Sequence, residues 1–324
     1  MGHELGSRER VLRAIEHREV DRIPCFFAAE EEVRERLMDA LGLDSALAIT
    51  RHFGADTIQV SIYSVFNALP DLSRVETVDD VEALAWPGAE ALDVAAAARQ
   101  LAEARETGLA VLGGVWSSVF TWARQNMGEA KFLLAMAEHP DLVARVVERE
   151  TDFFIAANEA LFSAAADSVD VFFFGSDFGT QRSLFISREH FRRLFKPSLT
   201  RLAQHAKGFG LRVMYHTCGA VSEIIPDLIE CGIDVLDPVQ VSAHDMGPKL
   251  LAERYKGKIA FHGGVSSQTT LPHGTPEQVR AEVTETIEAL GPSGYIAGPD
   301  QSLIGDTPVA NIVAMYEAIH DYRL

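Results

Sequence analysis

Eight short apolar runs alternate with longer helical patterns along the chain. They predict an α/β fold, a (β/α)8 TIM barrel with an N-terminal helical extension, as one domain over residues 1–324. The runs are residues 23–27, 57–62, 109–115, 169–175, 212–216, 233–236, 258–262 and 294–297. Most are rich in Val, Ile or Phe, with Gly, Pro or Asp close to their ends. Such near-continuous hydrophobicity suits parallel strands buried on both faces. No GxGxxG motif follows the first run, which argues against the other common arrangement, a doubly wound dinucleotide-binding sheet.

The intervening segments follow in order. A helix over 8–17 precedes the first run and is extra to a minimal barrel. Residues 70–85 read as loop. Residues 89–106 form an Ala-rich helical pattern, and 140–166 carry apolar residues at helical spacing. A helix over 187–209 opens on Ser187 as N-cap, although its N3 position is His190 rather than Glu or Gln. Thr275-Pro276-Glu277-Gln278 is a fuller helix start, with Thr at the cap, Pro in the first turn and Gln at N3. Thr307-Pro308 starts the last helix, which runs to about His320.

Composition narrows the function classes. Hydrophobic residues are 47% and charged residues 23%, enough apolar material for a large core and too much for a disordered chain. Twenty-nine Lys+Arg against 47 Asp+Glu leave a formal net charge of −18, which opposes binding to nucleic acid or an anionic membrane. Three cysteines do not make a disulfide framework. The N-terminus is charged and lacks the apolar centre of a signal peptide. The longest stretch without charge or histidine, 107–123, is interrupted by Gly and Ser pairs and is short of a membrane helix. The expectation is a soluble cytoplasmic protein.

In a barrel the chemistry sits where strands end and the following loops begin. The sharpest signal there is His216-Thr217-Cys218-Gly219. Residues two apart on an extended backbone point the same way, so His216 and Cys218 can aim nitrogen and sulfur at one point. Imidazole and thiolate are the preferred zinc donors. Spacing alone better fits a packed Cys beside a structural His. Asp177 ends an apolar run and reads as a catalytic group or a turn cap. His262 ends another run and reads as a catalytic acid or base, a metal ligand, or a buried His bonded to a neighbour. Gln181, Tyr63, Trp116 and Phe178 are candidates to bind substrate, as is Glu30 if the Glu30-Glu31-Glu32 run faces the mouth rather than opening a solvated helix. Cys231 reads as a packing residue.

Three segments resemble the uroporphyrinogen decarboxylase superfamily: Gly175-Ser176-Asp177-Phe178-Gly179-Thr180-Gln181; His216-Thr217-Cys218-Gly219; and Phe261-His262-Gly263-Gly264-Val265, followed by Leu271-Pro272-His273-Gly274-Thr275-Pro276-Glu277. Arg8-Glu9-Arg10-Val11 and Asp21-Arg22-Ile23-Pro24 are similar too. The resemblance implies a barrel with its site in the mouth and one of two chemistries. Decarboxylases of uroporphyrinogen carry arginines after the first strand, where they pair with substrate carboxylates. Here that place reads Phe26-Phe27-Ala28-Ala29-Glu30-Glu31-Glu32, and the Asp expected after the second strand is replaced within Val60-Ser61-Ile62-Tyr63.

The other branch transfers methyl groups to or from a corrinoid protein with zinc held by His-x-Cys and a third ligand after the last strand. His216 and Cys218 match. The third place reads Gly298-Pro299-Asp300-Gln301-Ser302, so Asp300 is the expected metal ligand, with Glu30, His262 or Cys25 as substitutes. The resemblance therefore implies a zinc-dependent methyltransferase with a small substrate, such as an aryl methyl ether or thiol, a corrinoid protein as partner, and a homodimeric assembly. The alternatives are a uroporphyrinogen decarboxylase-type carboxy-lyase and a non-catalytic barrel that binds a small molecule or a corrinoid.

Overall fold

The computed structural model describes residues 4–324; residues 1–3, where the reading of the N-terminus begins, lie outside the described residues. Seven parallel strands form one sheet in sequential order: β1 (Thr57–Ile62), β2 (Ala110–Val115), β3 (Val171–Gly175), β4 (Arg212–His216), β5 (Val235–Val239), β6 (Ala260–Val265) and β7 (Tyr295–Pro299). Strands β2, β3, β5, β6 and β7 are buried along their whole length, as their unbroken apolar runs predict.

The run at 23–27 is not a strand. It joins β7 through a single bridge, Cys25 to Ala297. The Phe26 N–H donates to Ala297 O at 3.1 Å, and the Ala297 N–H donates to Pro24 O at 2.8 Å. On the other side, the Asp56 N–H donates to Cys25 O at 2.7 Å. Pro24 has no N–H, and the Cys25 N–H is taken by the Asp56 carboxylate at 3.0 Å. Those losses deprive the segment of a ladder, although it touches both β7 and the start of β1.

The helices sit near their expected places. They include Ser7–Ile15, Val94–Glu106 after a short turn, Pro140–Ala165, Pro276–Leu290 and Val309–Asp321. Thr275 and Gln278 form a complete capping box. Ser187 caps its helix by accepting the His190 N–H, and that helix passes through a π-turn at Phe191–Phe195 before continuing as Lys196–Gly208. Residues 70–85 are not all loop: Val78–Ala83 is a helix with a Thr77/Asp80 capping box. Asp replaces Glu at its N3 position, and its six residues are too few to show periodicity. No helix among the described residues is long and apolar enough to cross a membrane.

Two apolar layers result. The larger lies between the sheet and the surrounding helices. The smaller is made by inward residues of the strands, including Leu112, Phe173, Met214 and Ile296, with Val11 and Ile15 of the Ser7–Ile15 helix. That helix closes the end where the strands begin. Acidic residues immediately before alternate strands hold this end together. Asp56 receives Arg10 at 2.6 Å and Arg22 at 2.8 Å, Asp170 receives Arg8 at 2.6 Å and Arg105 at 2.9 Å, and Asp234 receives Lys207 at 2.8 Å. The Asp56 carboxylate is fully buried and Arg10 is 3% exposed. Without Asp56, buried Arg10 keeps only the Asp21 carboxylate, Arg22 loses its carboxylate and the buried Cys25 N–H loses its acceptor. Asp56→Ala should therefore cost about 3 kcal/mol or more in urea unfolding. A loss no larger than that of an exposed pair such as Arg13–Glu9 would refute this account of the helix anchor.

Candidate active site

Three strand ends converge at the opposite face. Cys218 follows β4 by two residues, and His216 is the last residue of that strand. The turn between them and the next helix requires Gly219, at φ +88°. A side chain there would meet the backbone of Gly179 and Thr180 at under 3 Å. The close approach brings the loop after β3, with Asp177, against the loop after β4. The result is a tight cluster. His216 Nε2 lies 3.2 Å from Cys218 Sγ and 3.5 Å from Asp177 Oδ1, and Asp177 Oδ1 also accepts the Cys218 N–H at 3.0 Å. One donor atom from each of the three residues lies within 4.8 Å of the others. Gln301, after β7, donates from Nε2 to Cys218 Sγ at 2.6 Å.

Behind this cluster stands Asp237 of β5. Its Oδ2 lies 2.6 Å from His216 Nδ1, and its Oδ1 lies 2.5 Å from His262 Nδ1. Burial alone would raise the Asp237 carboxyl. The two imidazoles outweigh burial and hold it well below the usual carboxylate range. Burial opposes charge on His216 as well, but Asp237 and Cys218 together raise its affinity for a proton well above the ordinary value. Burial pushes the Cys218 thiol up, against the pull of His216.

A cavity of about 250 Å³ adjoins the cluster through His216 and Gln301. Five aromatic side chains form part of its wall: Phe26, Phe27, Tyr63, Trp116 and Phe173. Trp116 stands 5.9 Å from the His216 ring and 5.7 Å from Tyr63, measured between centroids. Asp237, His262 and Asp300 supply polar wall. Among the described residues, no Lys or Arg lines it. One arginine, Arg34, lines an adjoining groove that shares Phe27, Thr57 and Tyr63 with the cavity.

The expected residues separate into three groups. His216, Cys218 and Asp177 meet, while His262, Tyr63 and Trp116 lie at the cavity wall. Asp300 also lies at the wall but stands outside the three-donor cluster. Ser267 donates to its Oδ1 from backbone and hydroxyl at 2.8 and 2.6 Å, and its buried Oδ2 has no partner. The donor that joins His216 and Cys218 is Asp177 instead.

Four of the expected residues lie away from the cavity. Phe178 is fully buried in an aromatic core, stacked on Phe120 at 4.5 Å. Glu30 is an exposed N-cap of the helix Glu31–Leu41, so the acidic run is a solvated helix start. Gln181 braces the loops outside the cavity: it donates to Ser242 Oγ at 3.0 Å and Gln268 Oε1 at 2.9 Å. Its Oε1 accepts from Gln240, which in turn accepts the Gly219 N–H at 2.6 Å. Cys25 is buried at the strand-start end, 3.5 Å from Gly54 O. Asp237 is the residue that sequence reasoning passed over. Its only signal was an Asp-Pro pair at a strand end.

Comparison with known proteins agrees with this architecture. The family profile described as uroporphyrinogen decarboxylase (URO-D) matches residues 37–322. Two methylcobamide:CoM methyltransferases MtaA of Methanosarcina barkeri are similar. One, from strain Fusaro / DSM 804, is 24% identical over 213 residues, and the other 25% over 214. Each match covers 65% of this chain and 58% of the relative's length. A solved methyltransferase structure from Methanosarcina mazei superimposes over 98% of this chain and 99% of that one, with a TM-score of 0.76 and 21% identity. That likeness shows the fold.

Asp300 offers a direct test of its environment. Burial raises its carboxyl from 3.8 to about 6, against the hydrogen bonds from Ser267. The folded chain thus holds this proton more tightly than the unfolded chain. The resulting stability is fully present below about pH 4 and is lost as pH rises through about 6. Asp300→Asn should flatten that part of the stability–pH curve and gain on the parent protein toward pH 7. Urea unfolding across pH 4–7 measures it, and an unchanged slope would dismiss Asp300 as the titrating group.

Proposed function

The chain belongs to the uroporphyrinogen decarboxylase (URO-D) family, and from that premise we propose that it is a methyltransferase acting between a small molecule and a corrinoid protein, with zinc at Asp177, His216 and Cys218. The observation that carries this reading is the convergence of nitrogen, sulfur and oxygen donors within 4.8 Å at the edge of an aromatic cavity. Three protein donors with an open side are the set a catalytic zinc takes, and His216 has its other ring nitrogen on a carboxylate, as zinc-binding histidines do. Zinc bound there would supply Lewis acidity to a substrate oxygen or sulfur. The reading treats residues 1–324 as one barrel domain, with the 23–27 segment at its eighth position.

The chain's own groups do the rest. Asp237 accepts a hydrogen bond from His216 Nδ1, which leaves Nε2 as the ring nitrogen that would ligate once zinc displaces its proton. Gln301 donates to Cys218 Sγ, which favours the thiolate. Trp116, Phe173 and Phe26 shape the cavity for a ring and exclude water from the transfer. The wall without Lys or Arg favours an uncharged substrate, such as an aryl methyl ether or a neutral thiol, over an anionic one. The relatives' printed name pairs a methylcobamide with CoM. For this chain, only the corrinoid half is carried over, as a partner protein approaching the cavity mouth. The same wall disfavours a porphyrinogen with many carboxylates. Glu30 takes no part in this, since it is the exposed N-cap of the helix Glu31–Leu41.

Purified full-length protein should carry about one zinc per chain by metal analysis. Cys218→Ala and Asp177→Ala should lose it, while Asp300→Asn keeps it. Methyl transfer from a neutral aryl methyl ether to a cobalt(I) corrinoid, followed by the corrinoid's absorption spectrum, should fall with zinc content. Full turnover by metal-free protein would sink the reading. Zinc retained in Asp177→Ala but lost in Asp300→Asn would return the third-ligand role to Asp300.

A further inference from the structure

We propose that His262 is a positioning residue: through Asp237 it fixes the His216 imidazole with Nδ1 protonated and Nε2 turned toward Cys218 and Asp177. The inference rests on the metal-site reading for its consequence, but its geometry stands on the chain alone. His216, Asp237 and His262 come from three successive strands, β4, β5 and β6. His216 and Asp237 are register partners, so their side chains leave the same face of the sheet. The β5–β6 register slips between Leu236 and Val239. Pro238 lies at that slip and has no N–H to give to the ladder. There the single carboxylate of Asp237 divides between two rings, Oδ2 to His216 at 2.6 Å and Oδ1 to His262 at 2.5 Å.

A carboxylate offers only lone pairs, so each imidazole must present its Nδ1 hydrogen. The same carboxylate thereby sets both tautomers and both ring planes. With Oδ1 occupied, Asp237 cannot rotate to offer a different oxygen to His216. His262 is itself held rigidly. It is 4% exposed, and its ring stacks on Phe26 with centroids 3.7 Å apart and planes at 22°. Phe26 has room only because residue 298 is Gly, since a side chain there would meet the ring at 2.3 Å. His262 forms no hydrogen bond with Cys218 or Asp177, and its Nε2 has no hydrogen-bond partner. Its route to the cluster is Asp237.

The test compares full-length protein with His262→Phe, which keeps a ring against Phe26 but removes the donor, and with His262→Gln, which keeps an N–H donor. Chelator competition should show zinc bound about 10- to 100-fold more weakly by His262→Phe, with His262→Gln close to the parent value. In metal-free protein, at a pH high enough to leave His216 neutral, ring-nitrogen NMR should find it solely as the Nδ1–H tautomer, and mixed tautomers in His262→Phe. A purely structural histidine would move the urea midpoint without moving either readout. Unchanged zinc affinity and tautomer in a folded His262→Phe would overturn the proposal. So would an Nε2–H tautomer for His216 in the parent protein, a result that needs no variant to fold. If the parent binds no zinc yet shows the tautomer change, the metal-site reading fails and the positioning role survives.

Discussion

The buried Asp56 carboxylate connects both ends of the molecule. It sits immediately before β1 and gathers Arg10 from the first helix, Arg22 from the segment after it, and the Cys25 N–H. Those bonds lay Pro24, Cys25 and Phe26 between the start of β1 and the edge of β7. Phe26 is then delivered to the cavity wall, where it stacks on His262, and His262 shares Asp237 with His216. An ion pair at the closed end of the sheet therefore bears on the orientation of a ring at the open end. The links are short ion pairs, hydrogen bonds and one ring stack, running from buried Asp56 to partly exposed His216.

The two ends also divide the chemistry of charge. At the strand starts, Asp56, Asp170 and Asp234 meet Arg and Lys partners, and their role is to anchor helices to strands. At the strand ends, the acids meet histidines and N–H or O–H donors, with no Lys or Arg in the cavity wall. The basic residues of a chain with 29 Lys+Arg are thus largely spent on scaffolding and surface pairs. The net charge of −18 opposes anionic partners in general. At the site, the same preference comes from the composition of the wall and not from the acidic run at 30–32.

Much of the fold was legible because parallel strands buried on both faces leave continuous apolar runs. Seven of the eight runs became strands. The run at 23–27 looks like the others in hydrophobicity, but its pairing depends on a proline and on a side chain 31 residues away. The His216-x-Cys218 pair was visible because both residues share one strand end, and Asp177 because it ends another. Phe178 shows the limit of that logic. It follows Asp177 directly, yet the chain turns there and buries it against Phe120.

By itself, the sequence determined the order of strands and helices, the capping at Ser187 and Thr275, and the family to which the chain belongs. Local periodicity and short motifs are written in neighbouring residues, so a linear reading recovers them. Only the tertiary structure decided which third donor stands beside His216 and Cys218, that Asp237 serves two histidines at once, and that Glu30 faces solvent. Each of these depends on which strand ends come within hydrogen-bond reach. Distances of 2.5 to 3.5 Å between residues 21 to 83 positions apart are set by sheet register and loop closure, and no local pattern encodes them.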